Sequence, residues 1–550
     1  MNAHTLTAPQ STRRVEARDG NALTGTGRLF RFALRRDRVR IPVWALGIGS
    51  MIGYFAAVVP LAYPDQAALQ TRAQIMKDPA GALLAGPGYG LDNYTLGTMI
   101  ANEILGMAAV AAALMSVFLV IRHTRAEEES GRAELVSAGR VGRAAPLTAA
   151  LATLVTANAA VFAVLAAAMV ANGLAVADSL AVAAGVGLVG VAFGAVGAVT
   201  AQLTEHARPA SGLAGAAVGL AFILRGIGDS QQLGGSTLSW LSPIGWAQQS
   251  RAFFDLRWWP LLLCVAFAAA LVPVAYFLAG RRDLGAGLIP ARPGRANATG
   301  FFVHPAGLRL RMERGSIISW CAGLFVFAAL TGSLGEAIVA SFEAQPELAA
   351  VLGMTTTGDV LRGALAAFLK YFAMAVAVYA VISVNRLGKE ESEGRTGAVL
   401  ATKVTRAGWI ASVLLVTIPA SALLLAVSGL GLGIGALAAV GGESVVGEFT
   451  AAGLAFLPLV LCFAGAAVLA YGLHSGTWWV WVLLVASMLI GLYGPALNMP
   501  EEVLDAEPFG LVPAVPSVEL DPVPLLWMSA AAVVLTAAGT FAFRRRDLEA

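Results

Sequence analysis

The sequence predicts an all-α, polytopic membrane protein: twelve transmembrane helices arranged as two parallel six-helix repeats. Three observations carry the prediction. Apolar residues make up 57% of the 550 and charged residues only 13%, about half the ~25% of a water-soluble chain. Twelve stretches approach the ~20 apolar residues that a helix needs to cross hydrocarbon. The second half of the chain also restates the first at an offset of 263 residues. The same composition excludes a disordered chain, a collagen-like fibre and a soluble enzyme of ordinary make-up. Three cysteines, all within apolar runs (Cys264, Cys321, Cys462), exclude a disulfide framework. A net charge of only +3 gives nucleic-acid binding no support.

Taken in order, residues 1–27 are polar and lack the apolar core of a cleavable signal, so they read as a flexible tail. A basic arm from Arg28 leads into the first repeat, 28–295, with spans at 41–62, 96–121, 146–171, 180–203, 210–227 and 258–279. The second repeat, 296–550, follows a basic linker, with spans at 316–338, 361–384, 409–430, 449–472, 477–493 and 523–543. Glycines fall mostly inside spans; Gly190-x-x-x-Gly194 is the spacing that lets two membrane helices approach closely, not a nucleotide loop. The segments 228–257 and 494–522 each precede the last span of a half, and Trp240, Trp246, Trp258 and Trp259 fit an aromatic belt at the membrane surface.

Orientation follows from Lys and Arg, which remain on the cytoplasmic side. With the N-terminus inside, 30 of the 37 basic residues fall inside: in the N-terminal arm, the loop 122–145, Arg208, residues 280–315, residues 385–408 and the C-terminal Arg544–Arg546. The outer loops collect acids instead, among them Asp65, Asp92, Asp255 and a cluster from Glu501 to Asp521. Both termini are therefore expected in the cytoplasm.

The strongest repeat lies in the two loops after the second span of each half. RAEEESGRAELVSAGRVGR (Arg125–Arg143) aligns without a gap on GKEESEGRTGAVLATKVTR (Gly388–Arg406). Glu127 and Glu128 meet Glu390 and Glu391, Gly131 meets Gly394, Arg132 meets Arg395, and Arg143 meets Arg406. The half ends also match, Arg281-Arg282-Asp283-Leu284 with Arg545-Arg546-Asp547-Leu548. An even number of spans per half makes the repeats parallel about an axis normal to the membrane. Glu128, Arg132 and Leu135 stand at helical spacing, as do Glu391, Arg395 and Ala398, and Glu followed by Arg four residues later is a favourable helical pair. Each loop is thus expected to be a short amphipathic helix at the membrane surface. A solvated hairpin would explain one such loop; two at equivalent places favour a docking surface made by Glu127, Glu128, Glu129, Gly131 and Arg132 and by Glu390, Glu391, Gly394 and Arg395.

These residues resemble the coupling helices of type-2 ABC exporter permeases. A fused chain of twelve spans and this length is similar to the membrane subunit of the actinobacterial tetronasin/polyketide-antibiotic exporters. The resemblance runs from Arg28 to the terminal RRRDLEA. It implies a permease for lipophilic drugs, with no cofactor of its own, energised by a separate ATPase subunit, two copies of which would bind ATP and magnesium. It also implies that the outer segments before the last spans cap the exit. The chain's own residues agree with a separate motor: no G-x-x-x-x-G-K-[ST] loop is present. The family pattern is closer at Arg132-Ala133-Glu134-Leu135 than at Arg395-Thr396-Gly397-Ala398, so the two docking sites are expected to be unequal.

Ionisable residues within spans are costly and default to functional candidates. Glu103 lies in span 2 and Lys370 in the equivalent span 8, where they are candidates to face one another across the pseudo-dimer axis. Arg225 and Glu336, at span ends, read as interfacial, their long side chains reaching for water. Met107, Met115 and Phe118 beside Glu103, with Phe368, Phe372 and Met374 beside Lys370, would line a path for an apolar substrate; ordinary helix packing is the plainer reading. His304 and His474 are isolated, and no metal site is assigned. Two other functions compete. A proton-coupled secondary carrier would show more acids within its spans, and a membrane glycosyltransferase would show closely spaced acids in its first outer loop, whereas Asp65, Asp78 and Asp92 are scattered.

Overall fold

A computed structural model of the chain describes residues 21–77, 79–290, 297, 300–335, 360–440, 444–494 and 499–547. Among the described residues every regular element is helical. The protein is an all-α polytopic membrane protein: eleven of these helices are long and apolar enough to cross a bilayer. The chain forms two compact units, one of residues 1–61, 85–90 and 95–292, the other of 62–84, 91–94 and 293–550.

The first unit holds α1 (Thr26–Arg36) and α2 (Arg40–Ala62). Two short helices that follow, α3 (Gln66–Lys77) and α4 (Pro79–Leu84), belong to the second unit. The second span opens as α5 (Leu96–Met99), capped reciprocally by Thr95 and Thr98, passes through a π-helical turn at Ile100–Ile104, and continues as α6 (Leu105–His123). Two short helices, α7 (Arg125–Glu129) and α8 (Arg132–Ser137), lead to α9 (Ala145–Ala171), α10 (Val176–Leu203) and α11 (Ala207–Gln231). A buried short helix, α12 (Pro243–Gln248), precedes the last span, α13 (Trp259–Arg281). The centre of this unit is α10, which packs on α6, α9 and α13. Gly190 and Gly194 make that possible: a Cβ on Gly190 would stand 2.0 Å from Asn158 Oδ1, and one on Gly194 2.4 Å from the Leu154 side chain.

The second unit continues with α14 (Pro305–Ser333), α15 (Val360–Ser392), α16 (Arg395–Leu400), α17 (Arg406–Val440), α18 (Ser444–Leu454) and α19 (Leu457–Gly472). It closes with α20 (Trp478–Tyr493), α21 (Glu501–Asp505) and α22 (Pro522–Arg545). Alternate glycines on α17 serve two neighbours. Gly431 and Gly435 meet the α14 backbone, while Gly429 and Gly433 meet α18. Eleven of the twelve expected spans have a helix of membrane-crossing length, and α20 is the exception at 16 residues. It ends at Tyr493, and Gly494 beyond it keeps helical backbone angles (φ −54, ψ −49) and donates to the Ile490 carbonyl at 2.7 Å.

Candidate functional site

In the first unit, helix α6 ends at Thr124, whose backbone leaves the helical region (φ −121, ψ −87). After α7 the chain turns at Gly131 (φ +74), a conformation that a side chain would disfavour, and α8 leaves in a new direction. The expected single helix is therefore broken, and the expected Glu128–Arg132 pair does not form. Arg132 instead pairs with Glu127 (Nε–Oε2 2.9 Å), which also binds Arg36 of α1. Glu128 turns inward and takes Arg282 at the end of α13 (2.5 and 2.7 Å), Arg125 (3.0 Å) and the Gly285 amide (3.2 Å). Arg125 is wholly buried and also donates to the Ala201 carbonyl, 2.8 Å from Nε and 2.5 Å from Nη2. Glu129 accepts from the Ala207 amide at 3.0 Å. The α8 face carrying Arg132, Glu134 and Leu135 is exposed, the last 78% accessible.

The second unit repeats this arrangement with fewer bonds. Helix α15 runs unbroken to Ser392, with Leu387 at the position that corresponds to Thr124. The chain again turns at a left-handed glycine, Gly394 (φ +73). Arg395 pairs with Glu393, not with Glu391. Glu390 takes Arg309 of α14 (2.6 Å), and Glu391 takes Arg546 just past α22 (2.6 Å). Arg546 also stacks over Tyr471 and Phe543 (5.1 and 5.2 Å) and lies 3.0 Å from His474 Nδ1. Both loops end in a further matched contact. Arg143 donates to the Gly280 carbonyl (2.8 Å) and Arg406 to the Phe543 carbonyl (2.9 Å), each at the C-terminal end of the last span, where helical carbonyls lack partners.

The basic arms contribute acids that the sequence reading passed over. Asp37 binds Arg122 and, at 2.5 Å, His123. Glu313, fully buried, binds Arg386 (3.3 Å) and accepts from Ser383 (3.0 Å). His123 and Arg386 stand at the 263-residue offset. The signal was one acid in each otherwise basic arm, LRRDRVR and LRMERG. Burial pushes the Asp37 carboxyl up, but hydrogen bonding and charge from His123, then Arg122 and Arg40, outweigh it and hold the group below the usual aspartate range.

Within the spans, Lys370 has its ion-pair partner in its own unit: Glu507, 2.7 Å away. Glu507 is buried and also accepts from Ser487 (3.0 Å) and the Phe509 amide (2.9 Å). Glu103 is buried in the π-helical turn of the first unit. Arg225 is fully buried and paired with Asp229 (3.3 Å), so the interfacial reading fails: a side chain sealed between helices needs a counter-ion, not water. Glu336 lies outside the described residues. Met107 is exposed on its unit and lines an apolar pocket of about 320 Å³ with Val110, Leu114, Gly215, Val218 and Phe222. Phe118 is exposed on the same helix. Phe368 is half-buried with its ring edge against Tyr371, and Phe372 is buried edge-on against Phe327.

The segment before α13 is built into the first unit. Gln248 donates to the carbonyls of Ala85 (3.1 Å) and Asn102 (3.0 Å). Asn102, in the π-helical turn, accepts from the amides of Gly88 (3.1 Å) and Tyr89 (3.0 Å). Trp240 stacks on Trp259 at 5.3 Å, while Trp258 and Trp259 stay half exposed, as residues at a lipid–water boundary do.

Comparison with known proteins places this geometry. The family model described as "Multidrug efflux system permease Rv1217c, C-terminal domain" matches residues 27–278 and 302–544. The chain is 38% identical over 538 residues, covering 96% of both sequences, to the multidrug efflux system permease protein Rv1217c of Mycobacterium tuberculosis (strain ATCC 25618 / H37Rv). On both counts the chain belongs to the family of Rv1217c-like multidrug efflux permeases.

Proposed function

We propose that this chain is the membrane permease of an ATP-driven exporter of lipophilic drugs or antibiotics, of the type-2 ABC class and the tetronasin/polyketide subtype. A separate ATPase, in two copies that carry the ATP and magnesium, docks on the loops 122–145 and 385–408, and both termini are cytoplasmic. The observation that carries the reading is the recurrence, in both units, of a loop stapled inward through its acids and ending in an exposed short helix beyond a left-handed glycine. A loop needed only to fix topology has no use for that geometry. The acids Glu127, Glu128, Glu390 and Glu391 hold the loops, leaving the outer faces of α8 and α16 for contact: Arg132, Glu134 and Leu135 in one, Arg395 and Ala398 in the other. The "multidrug efflux" in the relative's name supports a broad range of lipophilic substrates.

The test is co-purification with a phosphate-loop ATPase encoded beside the permease, followed by drug-stimulated ATP hydrolysis. Leu135→Glu combined with Ala398→Glu should lower ATPase association by roughly tenfold or more while leaving membrane insertion intact, since an exposed interface anchor is worth on the order of 1–2 kcal/mol. Transport that persists without the ATPase and collapses with a proton uncoupler would replace this reading with a secondary carrier.

A further inference from the structure

In each unit the loop after the second span meets the end of the last span through one Glu–Arg pair, Glu128–Arg282 (2.5 Å) and Glu391–Arg546 (2.6 Å). The glutamates stand 263 residues apart and the arginines 264, so this is one contact made twice. Both side chains of each pair are largely buried, with 8–14% of the arginine and 7–10% of the glutamate accessible. A second contact runs the same way, from Arg143 and Arg406 to the carbonyls that end the last span. The last spans are the helices that such a joint can move. Within their own units, α13 and α22 are the least buried of the long apolar helices, with 22% and 17% of their most apolar stretches covered, against 67% for the second span and 72% for α10.

We infer that Glu128, Arg282, Glu391 and Arg546 are positioning residues that make each loop a lever fixed to the last span of its half, so that displacement of the loop moves that span. Opening the joint would leave a charge buried without its partner, so loop and helix end move as one body. The two joints differ in stiffness. Glu128 is held by two arginines and an amide, and Leu288 and Ile289 add backbone bonds to Gln202 and Leu203 (3.2 and 2.8 Å). In the second unit Gly388 stands where Arg125 stands in the first, and Arg546 is the one basic residue bonded to Glu391 among the described residues. The second joint is the weaker and the one to test.

This inference rests on the ATPase-docking reading for its use, but the joint itself is measurable without a partner. In the purified full chain, Arg546→Gln should raise amide hydrogen exchange in both 395–400 and 540–545. Faster exchange at the chain end alone, with 395–400 unchanged, would overturn the lever. In proteoliposomes with the ATPase and ethidium as the probe, Glu391→Gln and Arg546→Gln should each lower dye moved per ATP hydrolysed by about fivefold, the lower range of measured coupling effects. The double variant should be no worse than either single one, because both remove the same joint. Wild-type yield of dye per ATP in both singles, or losses that multiply in the double, would overturn it. Where Glu391→Gln lowers the membrane level, Glu391→Asp is read on the same ratio. An ATPase that does not bind the wild-type chain refutes the docking reading, and the exchange result still decides the joint.

Discussion

Lys370 and Glu507 show how one residue's place in a span is settled by a partner far away in sequence. The acid is almost fully buried and the lysine mostly so. Removing one member of a buried pair leaves the other without compensation at a cost of about 3 kcal/mol, whereas removing both is far milder. Lys370→Met should therefore lower the melting temperature in detergent more than Lys370→Met with Glu507→Gln does. Asp37 makes a second case, with a pH signature. Its carboxyl is held below the ordinary aspartate range, so its contribution to stability is fully present above that range. It is lost as the pH falls through the lowered value. Asp37→Asn should cost about 2 kcal/mol near neutral pH, the scale of a hydrogen bond to a charged group. The deficit should shrink on acidification, as thermal unfolding at a series of pH values would show.

Among the elements, glycines decide which helices pack closely and where loops turn. A Cβ at Gly435 would lie 2.0 Å from the Ala329 carbonyl oxygen, whereas at Gly447 it would meet nothing within 4 Å. Gly435→Ala should therefore destabilise by about 1–3 kcal/mol through overpacking against backbone. Gly447→Ala should be neutral or stabilising by up to ~1 kcal/mol, since alanine favours helix over glycine. Parallel melting curves separate the two. The helix α20, Trp478–Tyr493, matches the expected span 477–493, the shortest of the twelve. At about 1.5 Å per residue its 16 residues reach about 24 Å, less than the ~30 Å of a bilayer's hydrocarbon.

For the whole molecule, the charge asymmetry of the loops carries the orientation. With the N-terminus inside, as proposed, 30 of the 37 basic residues would lie in the cytoplasm, together with both termini and both stapled loops. Cysteines introduced at Ser137 and Thr402 should react with a membrane-impermeant maleimide only in inverted vesicles, and cysteines at Asp65 and Glu519 only in intact cells. The opposite pattern would place the stapled loops outside and remove the ATPase from the account.

What was legible in the sequence follows from physics that acts locally. Hydrocarbon accepts only helices whose apolar runs match its thickness, so the spans could be counted from composition alone. A duplicated chain repeats its punctuation, so Gly131 and Gly394, Arg143 and Arg406, and the two RRD endings could be paired by eye. The partners of the charges could not. Glu128 lies 154 residues from Arg282, and Glu507 lies 137 from Lys370. Helical spacing offered a nearer partner, Arg132, which Gly131 turned away by taking a left-handed backbone. The sequence alone thus determined a duplicated helical membrane protein and where its charged loops fall, because lipid constrains each segment separately. Only the tertiary structure decided which charges those loops spend on holding themselves together, because a buried charge is answered by whatever the fold brings within about 3 Å.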